Sequence, residues 1–259
     1  VVSEYPLRGG SVSTVVRAGD TVRRQPGRPF VRELLGFLER SGRGGAPRFL
    51  GVDEQGREIL TFVDGYVPWQ ESGMPGAPGV PGTSGTSGAS GASGVTAEGS
   101  LVRVAELVRG FHDLTAGTPL AGDAEVVCHN DLAPNNTVYS PDGVGLRPVA
   151  FIDWDLAAPG RRIHDVAHVC WQYLGLGPGA VVGPAARGIR LICDAYRLDG
   201  RDEIVDVIMW WQDRCWRGIQ AGAEAGDPAM VRLLDEGAVR EVRASFEWVA
   251  AHRSELEVS

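Results

Sequence analysis

The chain contains no lysine. All 25 basic residues are arginine, so wherever a phosphate or carboxylate needs a fixed side-chain cation, a guanidinium is what the chain has to offer. Cysteine is scarce as well. Cys128, Cys170, Cys193 and Cys215 are scattered without C-x-x-C spacing, which argues against a zinc site or a disulfide framework and suits buried, reduced thiols. No apolar run approaches the roughly eighteen residues of a membrane-spanning helix, and no basic segment followed by an apolar block opens the chain, so neither a span nor a signal peptide is expected. A positive balance is missing too. A formal charge of −8 argues against a nucleic-acid backbone as partner and leaves room for a cationic small molecule. The expected setting is cytoplasmic, with no membrane partner, and composition leaves the oligomeric state open.

What is present is enough to fold. With 259 residues, 43% of them apolar, the chain can bury a sizeable core in one large domain or two lobes. Between Gln70 and Ser100 glycine, serine, threonine, proline and alanine take over. Such a segment lacks the apolar surface to offset its ordering entropy and reads as a linker. The division expected is therefore a first unit over 1–69, a linker over 70–100 and a second unit over 101–259.

The chemistry concentrates beyond the linker. Val126 and Val127 read as a short strand running into His129-Asn130-Asp131-Leu132-Ala133-Pro134-Asn135-Asn136, and Thr137-Val138-Tyr139 resumes an extended run. A second apolar strand, Val149 to Ile152, then delivers Asp153. Taken singly, an Asp or Asn in such a place is a turn cap. The order H-x-D-L-x-x-x-N followed by a strand ending in Asp is a different matter, because it matches the catalytic loop and metal-binding strand of kinases.

The spelling HNDLAPNN with IDWD resembles the aminoglycoside phosphotransferase and choline kinase-like family of the protein-kinase-like fold, and in particular its small members. The resemblance implies an α+β, bilobal molecule with a small β-rich first lobe that binds nucleotide, a hinge, and a larger, mainly helical second lobe. It implies transfer of the γ-phosphoryl of ATP, with GTP as an alternative donor, to a hydroxyl of a small molecule resembling an aminoglycoside, sugar or amino alcohol. Magnesium is the implied cofactor. Phosphoryl transfer asks a protein to hold nucleophile, phosphate and metal in line. Asp131 is placed to meet the acceptor hydroxyl and take its proton, and Asn136 and Asp153 offer the hard oxygens that magnesium prefers. His129 would help fix the loop, and Asp165 matches an Asp that accepts hydrogen bonds from the loop backbone.

The first lobe carries weaker signals. Gly9, Gly10 and Ser11 lie in a hairpin whose backbone amides suit phosphate oxygens. In the third strand, where kinases use lysine, alternation separates Thr21 and Arg23 from Val22 and Arg24, and Arg23 most resembles the missing lysine. Glu33, on a helix spanning Phe30 to Glu39, is the candidate partner for that cation. Backbone groups near Phe62 and Val63 are the expected adenine contacts. Two other readings remain open. One is a nucleotide-binding pseudokinase that regulates a partner. The other is an HD-type metal phosphohydrolase using His164, Asp165 and His168, with His112, Asp113 and His129 as further ligands.

Overall fold

The computed structural model describes residues 3–7, 15–68, 94–141 and 145–257. Gly9, Gly10 and Ser11, together with most of the linker, lie outside them. Strands β1 (Glu4–Pro6), β2 (Val16–Ala18), β3 (Thr21–Arg24), β4 (Phe49–Val52) and β5 (Glu58–Thr61) form one antiparallel sheet in the order β1-β2-β3-β5-β4. The β4–β5 turn is chemically specified. The Asp53 carboxylate accepts from the backbone N–H groups of Gln55 and Arg57, and Gly56 supplies the left-handed residue at φ 79°. Helix α1 (Pro29–Arg40) opens on proline, whose missing N–H costs nothing in a first turn. It buries Val31, Leu34, Leu35 and Leu38, the spacing of a single helical stripe.

From β5 the chain passes through residues 62–68 into the second half. Here Tyr66 and Tyr139 exchange backbone hydrogen bonds of 2.7 Å in both directions. The strap depends on Gly65, whose φ is 151° and at which a Cβ would lie 2.5 Å from Val138 Cγ1 and 2.6 Å from the Tyr139 carbonyl oxygen.

The second half is mainly helical. It contains α2 (Glu98–Thr115), α3 (Arg162–Leu174), α4 (Val182–Tyr196), α5 (Ile204–Glu224), α6 (Pro228–Asp235), α7 (Ala238–Ala251) and α8 (Arg253–Leu256). Helix α2 packs on α4, α3 on α5, and α5 on α7. One apolar cluster runs from Leu34 and Leu60 through Val104 and Ile189 to Val249, so the two halves share a core. The α+β architecture expected from the sequence is the one observed. The last three helices are separated at Gly237, which takes φ 88°, and at His252, which leaves helical geometry.

Two small sheets frame the segment 129–136. Strand β6 (Val126–Cys128) pairs with β9 (Ala158–Gly160), and β7 (Thr137–Pro141) pairs with β8 (Leu146–Phe151), all antiparallel. The strands before and after the Asp131 loop thus belong to different sheets. Residues 158–160 close the sheet that holds β6.

Candidate active site

The loop between β6 and β7 is held from behind by one buried carboxylate. Asp165, on the first turn of α3, is fully buried. Its Oδ2 accepts from the His129 backbone N–H at 2.7 Å and its Oδ1 from that of Asn130 at 2.8 Å. His112 Nε2 lies 3.0 Å from the same Oδ2, and Tyr196 Oη lies 2.7 Å from its Nδ1. Burial disfavours the charged form, but these hydrogen bonds and the imidazoles beside it hold the carboxyl below its ordinary range. Asn130 sits at φ 65°, a strained position for a side-chain-bearing residue, and its Nδ2 donates to the Leu156 carbonyl. His129 is buried, and its Nε2 donates to the Ile152 carbonyl at 3.2 Å. Burial lowers the pKa of that imidazole.

So anchored, the loop turns through a short 3₁₀ segment, Pro134–Asn136, that brings Asn136 back to its own beginning. Asn136 Nδ2 donates to the Asp131 carboxylate at 2.8 Å and to the Asp131 carbonyl at 2.9 Å. The amide thereby fixes the Asp131 side chain and leaves its own Oδ1 as an acceptor. The Asn136 carbonyl accepts from the Ile152 N–H at 2.9 Å, tying the loop to the end of β8. The next residue, Asp153, has φ 61°. Burial pushes its carboxyl up to about 6, and the negative charges of Asp155 and Asp131 add to the effect.

Asn136 and Asp153 line one wall of a cavity of about 260 Å³ between the sheet and the helical half. Val22, Leu60, Phe62 and Val63 line the other side, while Val138 and Ile152 contribute apolar surface beside the two polar residues. The cavity thus combines an apolar lining with a carboxylate and an amide on one wall. Magnesium also fits this donor set. A buried carboxylate crowded by like charge gains from a dication, and an amide oxygen is a hard ligand.

In the first lobe the cation differs from the one expected. Arg24, not Arg23, lines the cavity. Arg23 takes the opposite face of β3, where its Nη1 donates to Thr21 Oγ1 at 2.6 Å and its Nε lies 3.9 Å from Asp53. Alternation was correctly read, but the face was not. Val22, an apolar residue of the cavity wall, shares its face with Arg24 two residues on, and that is the sequence signal that could have decided it. Glu33 is exposed and does not meet a strand cation. The carboxylate that pairs with Arg24 is Glu58 of β5, at 3.0 Å, and α1 contributes Arg32 to the same group at 2.6 Å. Arg24 also reaches across to Asp155, and Arg28 donates to the Asp155 and Ala157 carbonyls.

The metal-hydrolase arrangement does not assemble. His168 Nδ1 donates to the Leu132 carbonyl, His164 stacks on Trp210 with ring centroids 5.1 Å apart, and Asp165 is committed to the loop. His112, Cys128 and Asp165 do lie together, but in a buried cluster where both His112 ring nitrogens already have partners.

The fold is of the protein-kinase-like class. Residues 89–197 match the model of the phosphotransferase enzyme family, APH, the family that HNDLAPNN and IDWD resemble. A trifolitoxin immunity protein from Rhizobium leguminosarum bv. trifolii is 28% identical over 295 residues, spanning 99% of this chain and 98% of its own length. A choline/ethanolamine kinase family protein from Mesorhizobium loti superposes with a TM-score of 0.60 at 16% identity, over 98% of this chain and 92% of its own. The GDP complex of wild-type aminoglycoside 2'-phosphotransferase-IIIa gives 0.59 at 11% identity, over 98% and 94%. At those identities the two structures speak to the fold. Among the described residues, no helix is long and apolar enough to cross a membrane.

Proposed function

We propose that this chain transfers the γ-phosphoryl of a nucleoside triphosphate, ATP or alternatively GTP, to a hydroxyl of a small molecule such as an aminoglycoside, a sugar or an amino alcohol. The observation that carries the reading is the junction of Asp131, Asn136 and Asp153, with an amide–carboxylate hydrogen bond of 2.8 Å inside it and an apolar slot beside it. The GDP complex of a protein with the same fold adds support for nucleotide use. Asp131 orients the acceptor hydroxyl and takes its proton as the oxygen–phosphorus bond forms, while the nucleoside diphosphate leaves. Asn136 holds the Asp131 carboxylate in one rotamer. Asp153 and the Asn136 oxygen would hold magnesium, whose chemistry is to neutralise and orient the phosphate oxygens. His129 and Asp165 keep the loop in register from behind. Residues 1–69 serve as nucleotide lobe and hinge, 70–100 as linker, and 101–259 as the catalytic and acceptor lobe.

A thermal-shift screen of hydroxylated and aminated metabolites, with and without Mg-ATP or Mg-GTP, is the entry test. A compound that stabilises only in the presence of nucleotide is the expected result. Stabilisation by nucleotide, with no acceptor that turns over, would favour the second reading, a regulatory pseudokinase. The feature behind that reading is that Arg24 is already engaged by Glu58 and Asp155.

A further inference from the structure

The turn that follows Asp153 is held from outside. The Ala157 N–H donates to the Trp154 carbonyl at 2.9 Å, which closes residues 154–157 as a turn. Its tip does little to hold it, because Leu156 is 58% exposed. The carbonyls do more. From the first lobe, Arg28 Nε and Nη2 donate to the Asp155 carbonyl at 3.0 and 2.7 Å, and Nη2 donates to that of Ala157 at 2.5 Å. The carbonyl between them, of Leu156, is bound from the second lobe, where Asn130 Nδ2 donates to it at 3.0 Å.

Each end of this bridge is fixed by its own backbone. Arg28 immediately precedes Pro29, the first residue of α1, and the proline ring favours the extended conformation that Arg28 adopts, φ −65° and ψ 144°. Helix α1 is anchored in turn by its buried Leu34 and Leu35. At the far end Asn130 sits at φ 65°, with its backbone N–H bound to Asp165. The next residue is Asp131. A helix of the first lobe is thus joined, through three successive carbonyls, to the residue before the base candidate.

We propose that Arg28 is a positioning residue for the Asp131 loop: it fixes the 154–157 turn to the first lobe, and the turn fixes Asn130 in the left-handed conformation from which Asp131 departs. The inference rests on the transfer reading above, which gives Asp131 its role. It adds a route by which the first lobe sets the geometry of the base without touching it. Arg28 takes only backbone oxygens across the cleft, so what it holds is the course of the chain after Asp153.

Hydrogen exchange of the full chain without ligand, followed peptide by peptide by mass spectrometry, tests this. The variants are Arg28→Ala, Asn130→Gly, the two combined, and the control Arg57→Ala, which removes a first-lobe arginine bound to Glu4 and Asp53 instead. Glycine accepts a φ of 65°, so Asn130→Gly removes the side-chain bond and keeps the backbone. Arg28→Ala should speed exchange over 128–136 and 152–160 by about fivefold or more, the scale of the lost hydrogen bonds. Exchange in α5 and α7 should stay within about twofold, and Arg57→Ala should leave 128–136 as in wild type. In the Asn130→Gly background, Arg28→Ala should add less than about twofold over 128–136, because the route is already cut. Unchanged exchange over 128–136 in Arg28→Ala would overturn the proposal. So would an equal rise throughout the chain, which reports lost stability and no route, or full additivity of the two substitutions. If Arg28→Ala does not fold, Arg28→Gln, which keeps the stem and loses the fork, is judged by the same criteria. The measurement uses neither nucleotide nor acceptor. A wild type that transfers no phosphoryl therefore ends the transfer reading and leaves the route from lobe to loop standing, whereas a failed exchange test removes the part given to Arg28 alone.

Discussion

Asp165 supports the catalytic loop without facing the cleft. Its two oxygens take the His129 and Asn130 amides, and replacing it would leave those buried donors and His112 without their partner. Asp165→Asn should cost on the order of 3 kcal/mol, the scale for breaking a buried charged pair from one side. The pH dependence follows from the same contacts. The folded pKa lies below the unfolded one, so this stability is present above the unfolded value of about 4 and is lost as pH falls through the folded pKa. Acid denaturation followed by circular dichroism should show a flatter acid limb for Asp165→Asn than for wild type. On the other side of the cleft, Arg24→Ala should weaken triphosphate binding by about 1.5–3 kcal/mol, the scale of a charge-assisted hydrogen bond. Arg23→Ala, on the far face of β3, should change it little, and parallel titrations read the difference. Asp131, Asn136 and Asp153 stood out in the sequence by their order around two strands and Asp165 by the family resemblance, and the structure gathers the four around one loop. Arg24, Glu58 and Arg32 did not stand out. A four-residue strand states its alternation but not which face meets the cleft, and the pairing of β3 with β5 and α1 spans 34 residues between Arg24 and Glu58.

Among the elements, the strap from the end of β5 to β7 has the least tolerance. Tyr66 and Tyr139 can pair only because the backbone at Gly65 approaches Val138 and Tyr139 more closely than any Cβ allows. Gly65→Ala combines a steric clash with a φ of 151°, and should cost about 1–3 kcal/mol or more in strain alone. The check is a lowered Tm together with faster amide exchange at Tyr66 and Tyr139. A Tm equal to wild type would show that the strap is dispensable. The resemblance implied a mainly helical second half, but not the break at Gly237, since a glycine within an amphipathic run can be either a tolerated residue or a cap. The strand at 158–160 was hidden for another reason. Ala-Pro-Gly has no strand character of its own and is extended because β6 pairs with it.

At the scale of the whole molecule, the halves meet through shared apolar packing, the Tyr66–Tyr139 strap and the arginines that cross from the first lobe to the loop after Asp153. The metal-ligand candidates and the cation on β3 thus line one cleft from two lobes, and the base candidate is hydrogen-bonded to Asn136 on its wall. Transfer of label from γ-³²P-ATP or γ-³²P-GTP to an acceptor found in the thermal-shift screen, compared between wild type and Asp131→Asn, tests this most directly. The account predicts a labelled small-molecule product from wild type, none above background from Asp131→Asn, and nearly equal nucleotide affinity for the two proteins. Equal rates of label transfer by Asp131→Asn and wild type would contradict it.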